Sequence, residues 1–173
     1  MTTTTIIPTE LLRKPENKKT IEEIVEGMRQ FETSENVRHS SVSVKGGGEI
    51  HYWIYNPPTG RSSGVRIVAI EGLNSSHYGW AIPMAIMSRE RGWTCMLIDN
   101  RGVGLSKENP PKRPWTIAEM ARDAFTCLIH AGWVKEDVQQ QQQVEPKVHI
   151  VGISMGGMIS QELFLIRPDA STW

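Results

Sequence analysis

Hydrophobic and polar residues change their period several times along the 173-residue chain, and each change marks an element. Residues 1–20 are polar, contain Pro8 and Pro15, and read as a loose arm. Ile21, Ile24, Val25 and Met28 then fall at i, i+3, i+4 and i+7 behind Thr20, a suitable N-cap, which predicts a short helix. From residue 37 the period becomes two. VRHSSVSVKG and EIHYWIYN, separated by Gly46, Gly47 and Gly48, read as a β-hairpin, and NPPTGRSSG as the loop after it. Three short apolar runs follow: VRIVAIEG (65–72), WTCMLID (93–99) and KVHIVG (147–152). Continuous runs of this kind predict strands buried on both faces. Helices are predicted over 79–91, over 116–133, where Ile117, Met120, Ala121, Ala124 and Leu128 share a face, and over Met155–Ile166. NRGVGLSKENPPKRP reads as a long loop, and VKEDVQQQQQVEPK as a solvated, Gln-rich insertion near 135–146.

Strands thus alternate with helices after an opening hairpin. That order predicts an α/β domain over 37–173, with a mainly parallel sheet and helices on both faces, preceded by an arm and short helix over 1–36. Composition narrows the function. Nineteen Lys plus Arg balance nineteen Asp plus Glu, so no basic footprint for nucleic acid is expected. No run of about 18 apolar residues calls for a membrane span, and the first residues lack the apolar stretch of a secretory signal. Cys95 and Cys127 sit in apolar runs and read as buried thiols rather than a disulfide framework, which points to a reducing, cytoplasmic setting.

The chemistry concentrates at Gly152-Ile153-Ser154-Met155-Gly156-Gly157. A G-x-S-x-G pattern alone is weak; about one chain in twenty of this length would hold it by chance. Here it directly follows a predicted buried strand and opens a predicted helix, the setting of a nucleophile elbow. Such a sharp turn strains the serine backbone and brings the residues two before and two after it together, so both must be small; Gly152 and Gly156 are. Gly157 is expected to permit close packing of helix on strand. The elbow exposes the Ser154 hydroxyl and aims the Met155 backbone N–H, at a helix N-terminus, toward a developing oxyanion.

Three motifs in order, EGLNSSHYGW (71–80), DNRGVGLS (99–106) and GISMGGM (152–158), make the chain from about residue 40 onward similar to the N-terminal half of the α/β-hydrolase family. It is nearest to the cofactor-free serine esterases, lactonases and epoxide-hydrolase-like members. The resemblance implies that Leu73 supplies a second backbone N–H, completing an oxyanion hole with Met155. Glu71 stands where the family has His, Asn74 where many relatives have proline, and Trp80 matches the Trp that closes the loop. In relatives the Asp99 loop is structural, with Gly102 and Gly104 permitting its tight path. His77, near the mouth of the site, is a candidate substrate contact.

A serine nucleophile needs a base, and in this fold the acid and the histidine follow the serine. All five histidines precede Ser154, and the acids after it, Glu162 and Asp169, are not where the family acid falls. The expectation is therefore a truncated α/β-hydrolase fold lacking its acid and histidine part. It would leave the last strand as a bare sheet edge open to self-association. Three functions compete. One is a serine hydrolase of a small carboxylic ester or lactone, working through an acyl-serine with no metal or cofactor. Another is a non-catalytic relative that binds a ligand or partner. The third, a nucleotide-binding protein suggested by GVGLSK, lacks a phosphate-loop motif. Serine rather than aspartate at the elbow argues against epoxide-hydrolase and dehalogenase chemistry.

Overall fold

The computed structural model describes residues 35–109, 114–135 and 147–166 and the backbone of 171–172. The arm, the short predicted helix and the Gln-rich insertion lie outside the described residues. Strands β1 (Val37–Ser43) and β2 (Gly48–Tyr55) form the expected hairpin, in register His39 opposite Trp53 and Ser41 opposite His51. Its turn runs through Gly46, Gly47 and Gly48 at φ of 87°, 84° and 112°, a region open to glycine at no steric cost. Strand β3 (Arg66–Ile70), helix α1 (Tyr78–Arg91) and strand β4 (Thr94–Ile98) follow. Helix α1 ends at Gly92 (φ 71°), whose missing Cβ makes room for the Arg61 carbonyl. Next come β5 (Lys107–Glu108), helix α2 (Ile117–His130), strand β6 (Val148–Gly152), helix α3 (Met155–Ile166) and β7 (Ser171–Thr172).

The sheet order is β1-β2-β4-β3-β6-β7, with β5 also on β2. Strands β4, β3, β6 and β7 run parallel, whereas β1, β2 and β5 are antiparallel to their neighbours. Two expectations change. The segment read wholly as loop contains β5, which pairs Lys107 and Glu108 with Glu49 and Gly48. The β6 edge, expected bare, pairs at Val148 and His149 with Ser171 and Thr172.

Alternation along the strands sorts the core. Ile50, Tyr52, Ile54, Val68, Ile70, Met96, Ile98, Val148 and Ile150 face one way and are sealed by Ala121, Ala124, Cys127 and Leu128 of α2 and by Ile159 and Leu163 of α3. Helix α1 packs on β4 and β2 with Ala81, Met84 and Ser88 buried, and the Ser88 hydroxyl donates to the Tyr55 carbonyl. Helix α2 starts at a reciprocal cap. The Glu119 N–H donates to the Thr116 hydroxyl (3.2 Å), and the Thr116 N–H donates to the Glu119 carboxylate (2.9 Å). The helix stops short of the predicted end, where Gly132 takes φ 69°. Both thiols are buried and free; burial pushes the Cys95 thiol up to about 12 and raises that of Cys127 as well. No helix among the described residues is long and apolar enough to cross a membrane.

Candidate active site at the β6–α3 elbow

Strand β6 ends at Gly152 and α3 begins at Met155, so Ser154 sits in the turn between them. Its φ is 54°, in the left-handed region that costs a non-glycine residue energy. The turn is held by the Ile153 N–H on the Ile70 carbonyl (3.2 Å), the Gly156 N–H on the Ile153 carbonyl (2.8 Å) and the Gly157 N–H on the Ser154 carbonyl (2.9 Å). A Cβ on Gly152 would fall 2.2 Å from the Gly156 carbonyl oxygen, and one on Gly156 would fall 2.2 Å from that of Ile70. Both glycines are therefore required by backbone atoms that cannot step aside. Gly157 is not: its Cβ would meet only the Gly152 oxygen, at 3.7 Å, an ordinary contact. The close approach expected of Gly157 is made by Gly156.

Ser154 is exposed, and its hydroxyl has no hydrogen-bond partner among the described residues. The loop after β3 lies beside it, since a Cβ on Gly72 would stand 3.2 Å from the Ser154 Cβ and 3.7 Å from its Oγ. Leu73 follows and is 71% exposed. Neither the Leu73 N–H nor the Met155 N–H donates a backbone hydrogen bond among the described residues. Asn74 has φ 57°, a conformation that Asn tolerates and that proline, fixed near −65°, cannot adopt. The Glu71 carboxylate is buried, accepts from the Gly72 N–H (3.1 Å) and packs on Gly79 in the first turn of α1. Trp80 lies in that same turn, with its indole N–H buried and unpartnered among the described residues.

His77, a candidate substrate contact, is 2% exposed. Its Nδ1 and its backbone N–H both lie on Asp99 Oδ1, at 2.8 and 2.7 Å. Its ring stacks on Trp53 with centroids 3.5 Å apart, and Trp53 stacks in turn on His39. The structure thus places His77 inside the wall of the domain, as an anchor between β2 and the β4 loop, because Asp99 and Trp53 enclose it. Asp99 is fully buried and also accepts from the Leu105 N–H (2.9 Å). Burial pushes its carboxyl up, but the hydrogen bonds from His77 and Leu105 outweigh that and hold it below the usual carboxylate range. Gly102 and Gly104, at φ 75° and 58°, carry the loop around it.

Arg101 anchors the same loop. Its Nε and Nη2 pair with the Asp123 carboxylate at 2.9 and 2.7 Å, it donates to the carbonyls of Lys45 and Gly47, and it lies 3.9 Å over the Trp115 ring. His39, His51 and His130 are engaged away from the serine. His39 Nε2 and His51 Nδ1 are 2.9 Å apart, and His130 Nδ1 is 2.8 Å from the Tyr52 hydroxyl. No histidine among the described residues hydrogen-bonds Ser154. No group of three or more His, Cys, Asp or Glu among the described residues is placed to hold a metal ion.

The alpha/beta hydrolase fold family matches residues 65–170. Among curated proteins, one named for carbamate hydrolysis, RutD from Caulobacter segnis, is 28% identical over 121 residues, covering 70% of this chain and 38% of its own length. An α/β hydrolase from Novosphingobium aromaticivorans superposes with a TM-score of 0.61 at 14% identity, covering 80% of this chain and 42% of that one. An epoxide hydrolase from an endophytic Streptomyces gives 0.61 at 22%, covering 80% and 36%, and one from Vigna radiata gives 0.60 at 20%, covering 79% and 38%. The chain thus spans less than half the length of each of these relatives. A match over more than half of its residues, together with this topology, means that the chain belongs to the α/β-hydrolase fold family.

Proposed function

We propose that Ser154 is the nucleophile of a serine hydrolase that cleaves a small carboxylic ester or lactone through an acyl-serine. The observation that carries this reading is the exposed, positive-φ serine between two sterically obligatory glycines. A residue kept in so costly a conformation needs a reason, and presenting a hydroxyl at a strand–helix turn is one. In the reaction the Ser154 oxygen attacks the carbonyl carbon, and the amides of Met155 and Leu73 receive the oxyanion. The positive end of α3 adds to that stabilisation. Collapse of the tetrahedral intermediate breaks the bond from the carbonyl carbon to the alkoxy oxygen, which leaves as the alcohol with the proton taken from Ser154 by a base; water then adds to the acyl-serine, releasing the carboxylic acid and restoring the hydroxyl. The carbonyl of a carbamate, the substrate class in the name of the RutD relative, could be attacked by the same parts. Serine rather than aspartate at the elbow disfavours the chemistry named for the epoxide-hydrolase neighbours.

The hydroxyl proton needs a base. No described histidine reaches Ser154, so the 173-residue chain by itself is expected to turn over esters very slowly; loss of a triad partner can reach about 10⁶-fold. That same observation favours a second reading, a non-catalytic member that binds a ligand at this site. Fluorophosphonate labelling of source-cell lysate separates the two, with peptides spanning Ser154 identified and the intact mass of the labelled species read. A labelled protein heavier than 19.5 kDa supports a longer polypeptide that supplies the base. An unlabelled 19.5 kDa species supports the binder. Robust ester turnover by the pure chain, abolished by Ser154→Ala, would refute the expectation of slow turnover.

A further inference from the structure

The Glu71–Gly72 peptide unit is gripped at both ends. Asn100 Nδ2 donates to the Glu71 carbonyl oxygen at 2.8 Å, and the Gly72 N–H donates to the Glu71 carboxylate at 3.1 Å. Asn100 and Glu71 are 5% and 7% exposed, so neither bond competes with bulk water. The carbonyl that Asn100 holds also packs on the elbow, since a Cβ on Gly156 would fall 2.6 Å from it. Gly72 has the freest backbone of any residue type. The clamp fixes the plane on the N-terminal side of Gly72, and the Ser75 N–H, which donates to the Gly72 carbonyl at 3.4 Å, holds the plane on the other side. The Leu73 amide of that second plane makes no backbone hydrogen bond among the described residues, and Gly72 itself lies against Ser154.

Resting on the reading of Ser154 as an acyl-accepting nucleophile, we propose that Asn100 is a positioning residue of the oxyanion hole. It acts through the Glu71 peptide to set the direction of the Leu73 N–H. Glu71 is the second jaw of the clamp and uses a carboxylate where the family has histidine. Neither residue touches the substrate. An aspartate at position 100 would set acceptor against acceptor and open the clamp, and an alanine would leave the Glu71 carbonyl unheld.

The test uses the ¹⁵N-labelled 173-residue chain as wild type, Asn100→Asp, Asn100→Ala and Glu71→Gln. Residual dipolar couplings report the directions of the Gly72, Leu73, Met155 and Gly157 amides. Both Asn100 variants should turn the Gly72 and Leu73 vectors and leave the other two unchanged. Glu71→Gln, which keeps an acceptor for the Gly72 N–H, should behave as wild type. Unchanged Gly72 and Leu73 vectors in both Asn100 variants overturn the proposal.

Phenylboronic acid supplies the second readout. The Ser154 oxygen bonds to boron, its proton passes to solvent, and ¹¹B spectra report the tetrahedral adduct. In wild type the Leu73 and Met155 amide protons should both move downfield. In the Asn100 variants Met155 should still move, Leu73 should not, and the adduct should weaken by about 10²-fold, the scale of one lost oxyanion donor. A merely structural role would blur both donors alike, and that result also overturns the proposal. Absence of any wild-type adduct follows from the missing base and leaves the couplings to decide whether the clamp exists, while an elbow serine that stays unlabelled by fluorophosphonate in the longer polypeptide refutes the nucleophile reading instead.

Discussion

Asp123→Asn removes one negative charge from the interior and leaves Arg101 in place. The guanidinium has two nitrogens on that carboxylate, and the two side chains are 1% and 8% exposed. Arginine does not give up its proton in proteins, so the variant keeps a buried cation without its counter-ion. Breaking one partner of a buried pair costs about 3–5 kcal/mol. The Lys45 and Gly47 carbonyls and the Trp115 ring remain as partners, which sets the expected loss near the lower end, about 3 kcal/mol. Against a total stability of about 5–15 kcal/mol this is a large fraction. With a urea slope of about 1–3 kcal/mol per molar, the unfolding midpoint should fall by about 1–3 M with the slope unchanged. Tryptophan fluorescence and far-ultraviolet dichroism in urea measure it. The double variant Arg101→Met with Asp123→Leu should recover most of the loss, because hydrophobic replacement of a buried pair is often neutral or better. A loss below about 1 kcal/mol for Asp123→Asn, or a double variant no better than the sum of the singles, would show that the pair does not hold hairpin turn and α2 together.

Gly156→Ala should lower the melting temperature, at a cost of about 1–3 kcal/mol for overpacking, whereas Gly157→Ala should be neutral or slightly stabilising; equal effects in thermal melts would contradict the 2.2 Å and 3.7 Å clearances. Because the folded carboxyl of Asp99 titrates below its unfolded value, the unfolded chain takes up the proton first as the pH falls. Stability from Asp99 is therefore complete above roughly pH 4–5 and declines below that, and urea titrations at several pH values should show a flatter acid limb for Asp99→Asn. Thr116→Ala removes the reciprocal cap of α2 and should cost about 1 kcal/mol in the same assay; no measurable change would mean that the cap adds nothing to the packed helix.

Parts of this architecture could be read from sequence because the constraints are local. Continuous apolar runs mark β3 and β4, since strands covered on both faces have no polar side to alternate with; β6, expected to be like them, buries only Val148 and Ile150 of one face, with His149 and Val151 half-buried on the other. The elbow was legible for a similar reason: its steric conflict lies between Gly152 and Gly156, four residues apart, and is written into the spacing of the glycines. Strand β5 is invisible in the sequence because two residues added to an existing strand make no pattern. Nothing local in the sequence marks His77 as buried, because a polar residue in a polar loop carries no sign of what will enclose it. Its enclosure depends on Asp99, 22 positions away, and on Trp53 from the hairpin.

The same holds for Arg101, whose carbonyl partners lie 54 and 56 positions back along the chain, and for Asn100, 29 positions from the carbonyl it holds. These long-range polar contacts converge on the two loops that follow β3 and β4. Neighbouring parallel strands bring those loops together at one end of the sheet. A loop cannot seal itself with hydrophobic residues without stranding its backbone donors and acceptors. Rigidity there has to come from buried side chains that satisfy backbone atoms of the neighbouring loop, as Asp99 and Asn100 do. The residues that tie down the loop after β3 are consequently supplied by a motif that, in sequence, advertises only a tight turn.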